Sequence, residues 1–220
     1  MIEYDKDAIV PPYITEYLRE IIPPSEGILA ELEEYAAKNS VPIVQPETAQ
    51  LLKTLVKIIN PKRILEVGCA IGYSAILMAS ESQASITTLE CDENMVNIAR
   101  ENIKKAGMES RIYVINKDAR EYFETLSGEY DMIFLDGPKA HYIYMLNDCI
   151  RLLKEGGILV ADNVLYKGMT ADEEHVVRRK ITIVKRLKHF IAAQMQRPEL
   201  SAVLLPLGDG VTVAVKKRKD

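Results

Sequence analysis

Cysteine and histidine are scarce in this 220-residue chain, with three of each. Cys69, Cys91 and Cys149 show no metal-type spacing. An odd, sparse count argues against a disulfide framework and for a reducing, cytoplasmic setting. The three read as small core residues. No apolar run approaches the ~20 residues of a membrane-spanning helix, so no membrane partner is expected. The opening Met1-Ile2-Glu3-Tyr4-Asp5 is acidic and lacks a signal-peptide pattern. A formal net charge of −4 does not advertise nucleic-acid binding, so any basic surface has to be local. Internal repeats, low-complexity segments and a second domain are not seen either. What remains is 48% hydrophobic, enough for one sizeable α/β domain over 1–220, with a helical extension (1–60) and a core (61–220).

A further absence narrows the function. Residues 63–74 read as a buried strand, a glycine turn and the start of a helix. Ile64, Leu65 and Val67 give the apolar run of a central parallel strand. Gly68 and Gly72 let the backbone turn and approach a ligand, and the helix N-terminus offers free N–H groups. The dinucleotide fingerprint G-x-G-x-x-G is not there. Its middle glycine is replaced by Ala70, and Glu66 stands at the strand tip. An acid at that point repels phosphate and favours a cation. S-adenosylmethionine fits, since it carries a sulfonium and an amino group and no phosphate. Glu90 ends the next strand, where an acid accepts hydrogen bonds from ribose hydroxyls. Asp118 and Ala119 follow the third strand, beside the place for an adenine edge.

The rest of the chain alternates strands and helices. Helices are predicted at 13–22, 28–38 and 47–59, punctuated by Pro11-Pro12 and Pro23-Pro24. Ser25 is a candidate cap for the second, and Pro46 suits the start of the third. Strands follow at 63–67, 85–90, 112–115, 132–135 and 158–161, with helices at 73–80, 93–106, 121–126 and 143–153. That order implies a parallel sheet covered on both faces. Gly107 and Gly156-Gly157 sit where helix stops are expected. A long helix is expected over 171–193. Strands 202–205 and 211–217 flank Gly208-Asp209-Gly210, a hairpin signal that adds antiparallel strands to one edge. The tail from Lys216 to Asp220 reads as a solvated end.

Strand four runs into Leu135-Asp136-Gly137-Pro138-Lys139 and strand five into Ala161-Asp162-Asn163. Neighbouring parallel strands bring these ends to one edge, beside the glycine turn. Two carboxylates and an amide oxygen suit a hard cation such as Mg²⁺; without His or Cys nearby, zinc does not fit. A lysine beside a divalent cation and a sulfonium has its charged form disfavoured, so Lys139 can take a proton from a substrate hydroxyl. Taken singly, each of these residues has an ordinary reading as a helix cap or a surface charge. Their joint placement favours the catalytic one.

These motifs resemble the metal-dependent S-adenosylmethionine O-methyltransferases of catechol and caffeoyl-CoA type. The resemblance runs from about 41 to 217. Its most specific elements are Leu65-Glu66-Val67-Gly68, Gly72-Tyr73-Ser74, Asp136 with Lys139, Asp162-Asn163-Val164-Leu165 and Gly208-Asp209-Gly210. It implies a Rossmann-like fold with a seven-stranded, mostly parallel sheet, an antiparallel C-terminal hairpin and extra N-terminal helices. It implies Asp136, Asp162 and Asn163 as metal ligands and Lys139, with Asp136, as the catalytic pair. It implies cofactor contacts from Val44, Glu66, Gly68, Tyr73, Ser74, Glu90, Asp118, Ala119 and Asp136. A homodimer is the common state of the family.

Within the family the chain is most similar to the bacterial branch that methylates 5-hydroxyuridine at the tRNA wobble position. The compact N-terminal helices, the phrase Val41-Pro42-Ile43-Val44-Gln45-Pro46-Glu47 and the lack of a long substrate insertion carry that likeness. The expected product is 5-methoxyuridine in the anticodon loop; the alternative acceptor is a small catechol or a hydroxycinnamoyl thioester. Both present two adjacent oxygens on a planar ring. The short loop Tyr166-Lys167-Gly168-Met169 departs from the longer aromatic or basic loop of many members. Between Arg178 and Arg197 there is no acid, and seven basic residues could follow a phosphate backbone or form a solvated helix face. Ile181, Ile183, Val184, Leu187, Phe190 and Ile191 interleave with them and would pack on the sheet. His141 and Tyr142 are placed to stack on a flat ring, while His175 and His189 read as surface residues. A binding protein without catalysis is disfavoured by the presence of Lys139 and all three metal ligands, and a dehydrogenase by Ala70.

Overall fold

The computed structural model describes residues 9–172, 174 and 176–218. Three helices come first: α1 (Pro12–Ile21), α2 (Ile28–Asn39) and α3 (Pro46–Ile59). An alternating core follows: β1 (Arg63–Val67), α4 (Tyr73–Ser80), β2 (Ser85–Glu90), α5 (Glu93–Lys105), β3 (Ile112–Asn116), α6 (Ala119–Thr125), β4 (Tyr130–Leu135), α7 (Tyr142–Leu152) and β5 (Leu153–Ala161). The chain closes with α8 (Ile181–Gln196), β6 (Leu200–Leu205) and β7 (Val211–Lys216).

The seven strands form one sheet in the order β3-β2-β1-β4-β5-β7-β6. The first five are parallel; β7 pairs antiparallel with both β5 and β6. This is the Rossmann-like methyltransferase sheet with its C-terminal hairpin, as expected. β1 and β4 are buried on both faces, which explains the apolar residues Ile64, Leu65 and Val67 of the one and the run from Met132 to Leu135 of the other. One core joins α2, α3, α4 and α5 to the sheet; the other lies under α6, α7 and α8. The strand order reverses between β1 and β4, and a crevice opens there at the carboxyl ends.

Four local expectations are corrected. The last long helix begins at Ile181, after a single 3₁₀ turn at Arg178–Lys180. The residues before it fold into tight turns instead: Tyr166, Lys167 and Gly168 have positive φ, and the amides of Met169, Thr170 and Ala171 bond back to Tyr166, Leu165 and Gly168. Gly156 and Gly157 lie inside β5, where the register with β4 shifts, rather than after a helix. Ser25 caps nothing; its hydroxyl donates to Glu33 at 2.6 Å, and α2 starts from Gly27. Ile181 is exposed, although Val184, Leu187 and Phe190 pack inward as expected. His189 is exposed. His175, the N-terminal pentapeptide and the last two residues lie outside the described residues. No helix among the described residues is long and apolar enough to cross a membrane.

Candidate active site

The sheet's hydrogen bonding continues one step past the strand ends and fixes the site. Gly68 N–H donates to Leu89 O at 2.9 Å, Asp136 N–H to Val67 O at 2.8 Å, and Asp162 N–H to Leu135 O at 2.9 Å. Each functional tip therefore hangs from a carbonyl at or next to the end of its neighbour strand. Gly68 is required twice over: its φ is +97°, and a Cβ there would stand 2.3 Å from Asp136 O.

Two connected hollows run along this edge. One, of about 140 Å³, is lined by Leu89, Asp118, Ala119, His141 and Met145. The other, of about 320 Å³, is lined by Val44, Tyr73, Ser74, Asp136, Lys139 and Asp162. Gly68 and Glu90 border both, so an elongated ligand would cross at Glu90. The Glu90 carboxylate accepts Ala70 N–H at 2.9 Å and the amides of Cys91 and Asp92, which places it firmly under the glycine turn. Asp118 caps α6 by accepting Arg120 N–H at 2.9 Å. The Tyr73 ring lines the larger hollow, and its hydroxyl donates to Glu33 of α2 at 2.5 Å. His141 lines the smaller hollow, which the carboxylate pair does not border. Tyr142, expected to border the acceptor, is fully buried beneath the site. Its hydroxyl donates to Leu135 O at 3.0 Å, and its ring packs 5.4 Å from that of Phe190.

Glu66 lies at the floor, fully buried. Thr88 donates to one oxygen at 2.5 Å; the other has no protein partner. Burial raises its pKa to about 7, opposed by the nearby polar side chains of Ser74 and Thr88, with Asp136 and Glu90 adding repulsion. A carboxyl whose folded pKa exceeds its unfolded value stabilises the fold below the unfolded value. That stability is lost as pH rises through the folded pKa. The window here runs from about 4.5 to about 7. Over it, thermal melts of the ligand-free protein should show a loss on the order of 3 kcal/mol from this group. Glu66→Gln should flatten that slope; an unchanged slope would mean that Glu66 is ionised throughout.

Asp136 and Asp162 face each other across the β4–β5 edge. Burial raises the pKa of each, and for Asp162 the Asp136 charge adds to it. Lys139, in a 3₁₀ turn after β4, donates to Asp136 Oδ1 at 2.9 Å and offsets part of the repulsion. Asp162 accepts the Asn163 amide at 2.7 Å, and Asn163 takes a left-handed φ of 56°. Among the described residues no three His, Cys, Asp or Glu side chains gather as a metal-binding group. The donor set is two aspartates and one amide. Two carboxylates whose pKa values burial raises, with the Asp136 charge adding to the rise at Asp162, fit a bound cation, and all-oxygen donors fit a hard one.

Beyond Gln45 and Asn163 the cleft continues into a hollow of about 350 Å³. It is lined by Ile9, Val10, Thr15 and Arg19 from the N-terminal segment and by Lys167, Gly208 and Asp209. Arg19, Gln45 and Glu47 carry no motif in the sequence, because an ion pair across 28 positions leaves no periodic trace. The basic stretch is less free than expected. Arg186 sits 5.2 Å over the Tyr144 ring, Lys180 5.6 Å over Tyr166, and Arg197 bonds Asn147 and Glu199. Arg178, Arg179 and Lys185 are exposed.

The model of the O-methyltransferase family matches residues 20–217. A caffeoyl-CoA O-methyltransferase of Stellaria longipes is 30% identical over 96% of this chain and 87% of its own. A catechol O-methyltransferase of Niastella koreensis is 30% identical over 73% of this chain and 76% of its own. The SAH-bound methyltransferase PaMTH1 of Podospora anserina superposes with a TM-score of 0.85 at 28% identity, covering 94% of this chain and 95% of that one. The chain belongs to the O-methyltransferase family and is an S-adenosylmethionine-dependent enzyme of the caffeoyl-CoA and catechol type.

Proposed function

We propose that the enzyme methylates one hydroxyl of a small catechol-type acceptor, with a divalent cation, Mg²⁺ by preference, held by Asp136, Asp162 and Asn163. The observation that supports this most directly is the meeting, within one cleft, of the cofactor groove, the paired aspartates with Lys139, and a hollow large enough for an aromatic ring. The relatives named for caffeoyl-CoA and catechol favour this acceptor over the tRNA nucleoside. The engagement of Arg186, Lys180 and Arg197 by their own neighbours points the same way.

The chain's residues divide the work as follows. Glu90 takes the ribose hydroxyls, Asp118 and Ala119 the adenine, and Gly68, Tyr73, Ser74 and Val44 the methionine end, with Glu66 facing its cationic group from below. When bound, the cation supplies Lewis acidity that favours ionisation of a chelating hydroxyl. Lys139, as the free amine, receives the hydroxyl proton at Nζ. The acceptor oxygen forms its bond to the methyl carbon as the carbon–sulfur bond breaks in line. The rigid strand tips supply the alignment.

Methyl transfer from labelled cofactor tests this with three acceptors, each with and without EDTA: a plain catechol, caffeoyl-CoA, and tRNA bearing 5-hydroxyuridine. Label in a small acceptor, abolished by EDTA, is the expected result. Label confined to the tRNA would overturn the acceptor assignment and keep the mechanism.

A further inference from the structure

Helix α1 has no buried residue, and Tyr13, Tyr17 and Ile21 are all largely exposed along it. Ten residues are too few for a helix to be stable in water by itself. Its inward apolar residues, Ile14 and Leu18, are only partly buried, so polar ties carry more of its position. Arg19, in its last turn, reaches α3 and the segment before it. Its Nε donates to Glu47 Oε2 at 3.1 Å, and its Nη2 to Glu47 Oε1 at 3.1 Å and to Gln45 Oε1 at 2.7 Å. Both Glu47 oxygens are engaged, as in a forked guanidinium–carboxylate pair. The Glu47 side chain is only 5% exposed, so this pair is not a loose surface contact. A buried carboxylate that loses its cation is left strongly disfavoured.

The location gives the pair its meaning. Arg19, Gln45 and Glu47 all line the hollow beyond Asn163, and Ile9, Val10 and Thr15 complete the wall on that side. Gln45 also borders the hollow that holds the aspartates. Pulling α1 away removes one wall of the acceptor space. The links of α1 to the cofactor groove are Gln45 and a further hollow that Arg19 shares with Tyr73; the strand tips that line the groove lie elsewhere.

We propose that Arg19 and Glu47 are positioning residues for the acceptor: their pair docks α1 as the outer wall of the acceptor hollow, and so sets acceptor affinity without taking part in the chemistry. The inference rests on the catechol-type reading of that hollow.

The test compares wild type with Arg19→Ala, Arg19→Lys and Glu47→Gln. Amide hydrogen exchange is followed over 14–21, and steady-state kinetics with plain catechol are run alongside SAH titration. Arg19→Ala is expected to lose protection in α1 and to raise the catechol KM about tenfold. Its kcat should stay within about threefold, and its SAH affinity should not change. Arg19→Lys keeps the charge but not the fork and should recover part of both effects. Glu47→Gln should resemble Arg19→Ala more mildly. Unchanged α1 exchange would overturn the inference. So would faster exchange with an unmoved KM, or an equal loss of SAH affinity, which would mark a general structural role. If wild type methylates no catechol, the acceptor reading fails, and the exchange result alone then decides whether the pair docks α1.

Discussion

Asp162→Ala should reduce methyl transfer to catechol by about a thousandfold or more, because Lewis-acid assistance is worth several kcal/mol and each 1.36 kcal/mol is a factor of ten in rate. The same variant should bind SAH nearly as wild type does, since the groove along Gly68, Glu90 and Asp118 is built from other strands. Its stability in EDTA offers an internal check. Asp162 is 1% exposed, and its pKa is raised by burial and by Asp136. The ionised side chain therefore disfavours the metal-free fold near neutral pH. Removing it relieves that repulsion and loses one hydrogen bond from the Asn163 amide. The expected metal-free Tm is equal to or above that of wild type. Mn²⁺ titration should show the site lost. A fall in SAH affinity as large as the fall in rate would mean that Asp162 serves the cofactor instead.

Lys139→Ala should lower kcat by about 10²- to 10⁴-fold, the range of general acid–base assistance, with little change in SAH or Mn²⁺ affinity. Activity should recover partly as pH rises, because the acceptor then ionises in solution without a base. Lys139→Arg should not rescue, since a guanidinium does not give up its proton. Wild-type turnover by the alanine variant would remove Lys139 from the proton path. Its place would then be structural, holding Asp136 through the 2.9 Å contact.

The strand tips were legible because each couples a local pattern to a chemical residue. The run Ile64–Val67 ends at a glycine, Leu135 gives way to Asp136, and Ala161 to Asp162. Parallel pairing then brings the tips together without further information. The start of α8 was not legible. The stretch after Ala171 is rich in helix-compatible residues, yet α8 begins only at Ile181, behind the 3₁₀ turn at Arg178–Lys180. Tyr142 was misplaced because position along α7 does not reveal which face meets α8; contact with Phe190 turns its ring inward. Arg19 with Glu47, and Tyr73 with Glu33, are pairings between distant segments. No window of the sequence shows them, and only the packed helices bring them together.

The chain of amide bonds from Leu89 to Gly68, from Val67 to Asp136 and from Leu135 to Asp162 separates two tasks that evolution can alter independently. Interstrand spacing, about 4.8 Å per step, acts as a fixed gauge between methyl donor and acceptor oxygen. It depends only on backbone atoms in the middle of the sheet. The parts proposed to meet the remainder of the acceptor, α1 and the loop carrying Lys167, hang outside that gauge on side-chain ties and turns. A lineage can exchange those outer parts and acquire a new acceptor while the distance the methyl group travels stays the same.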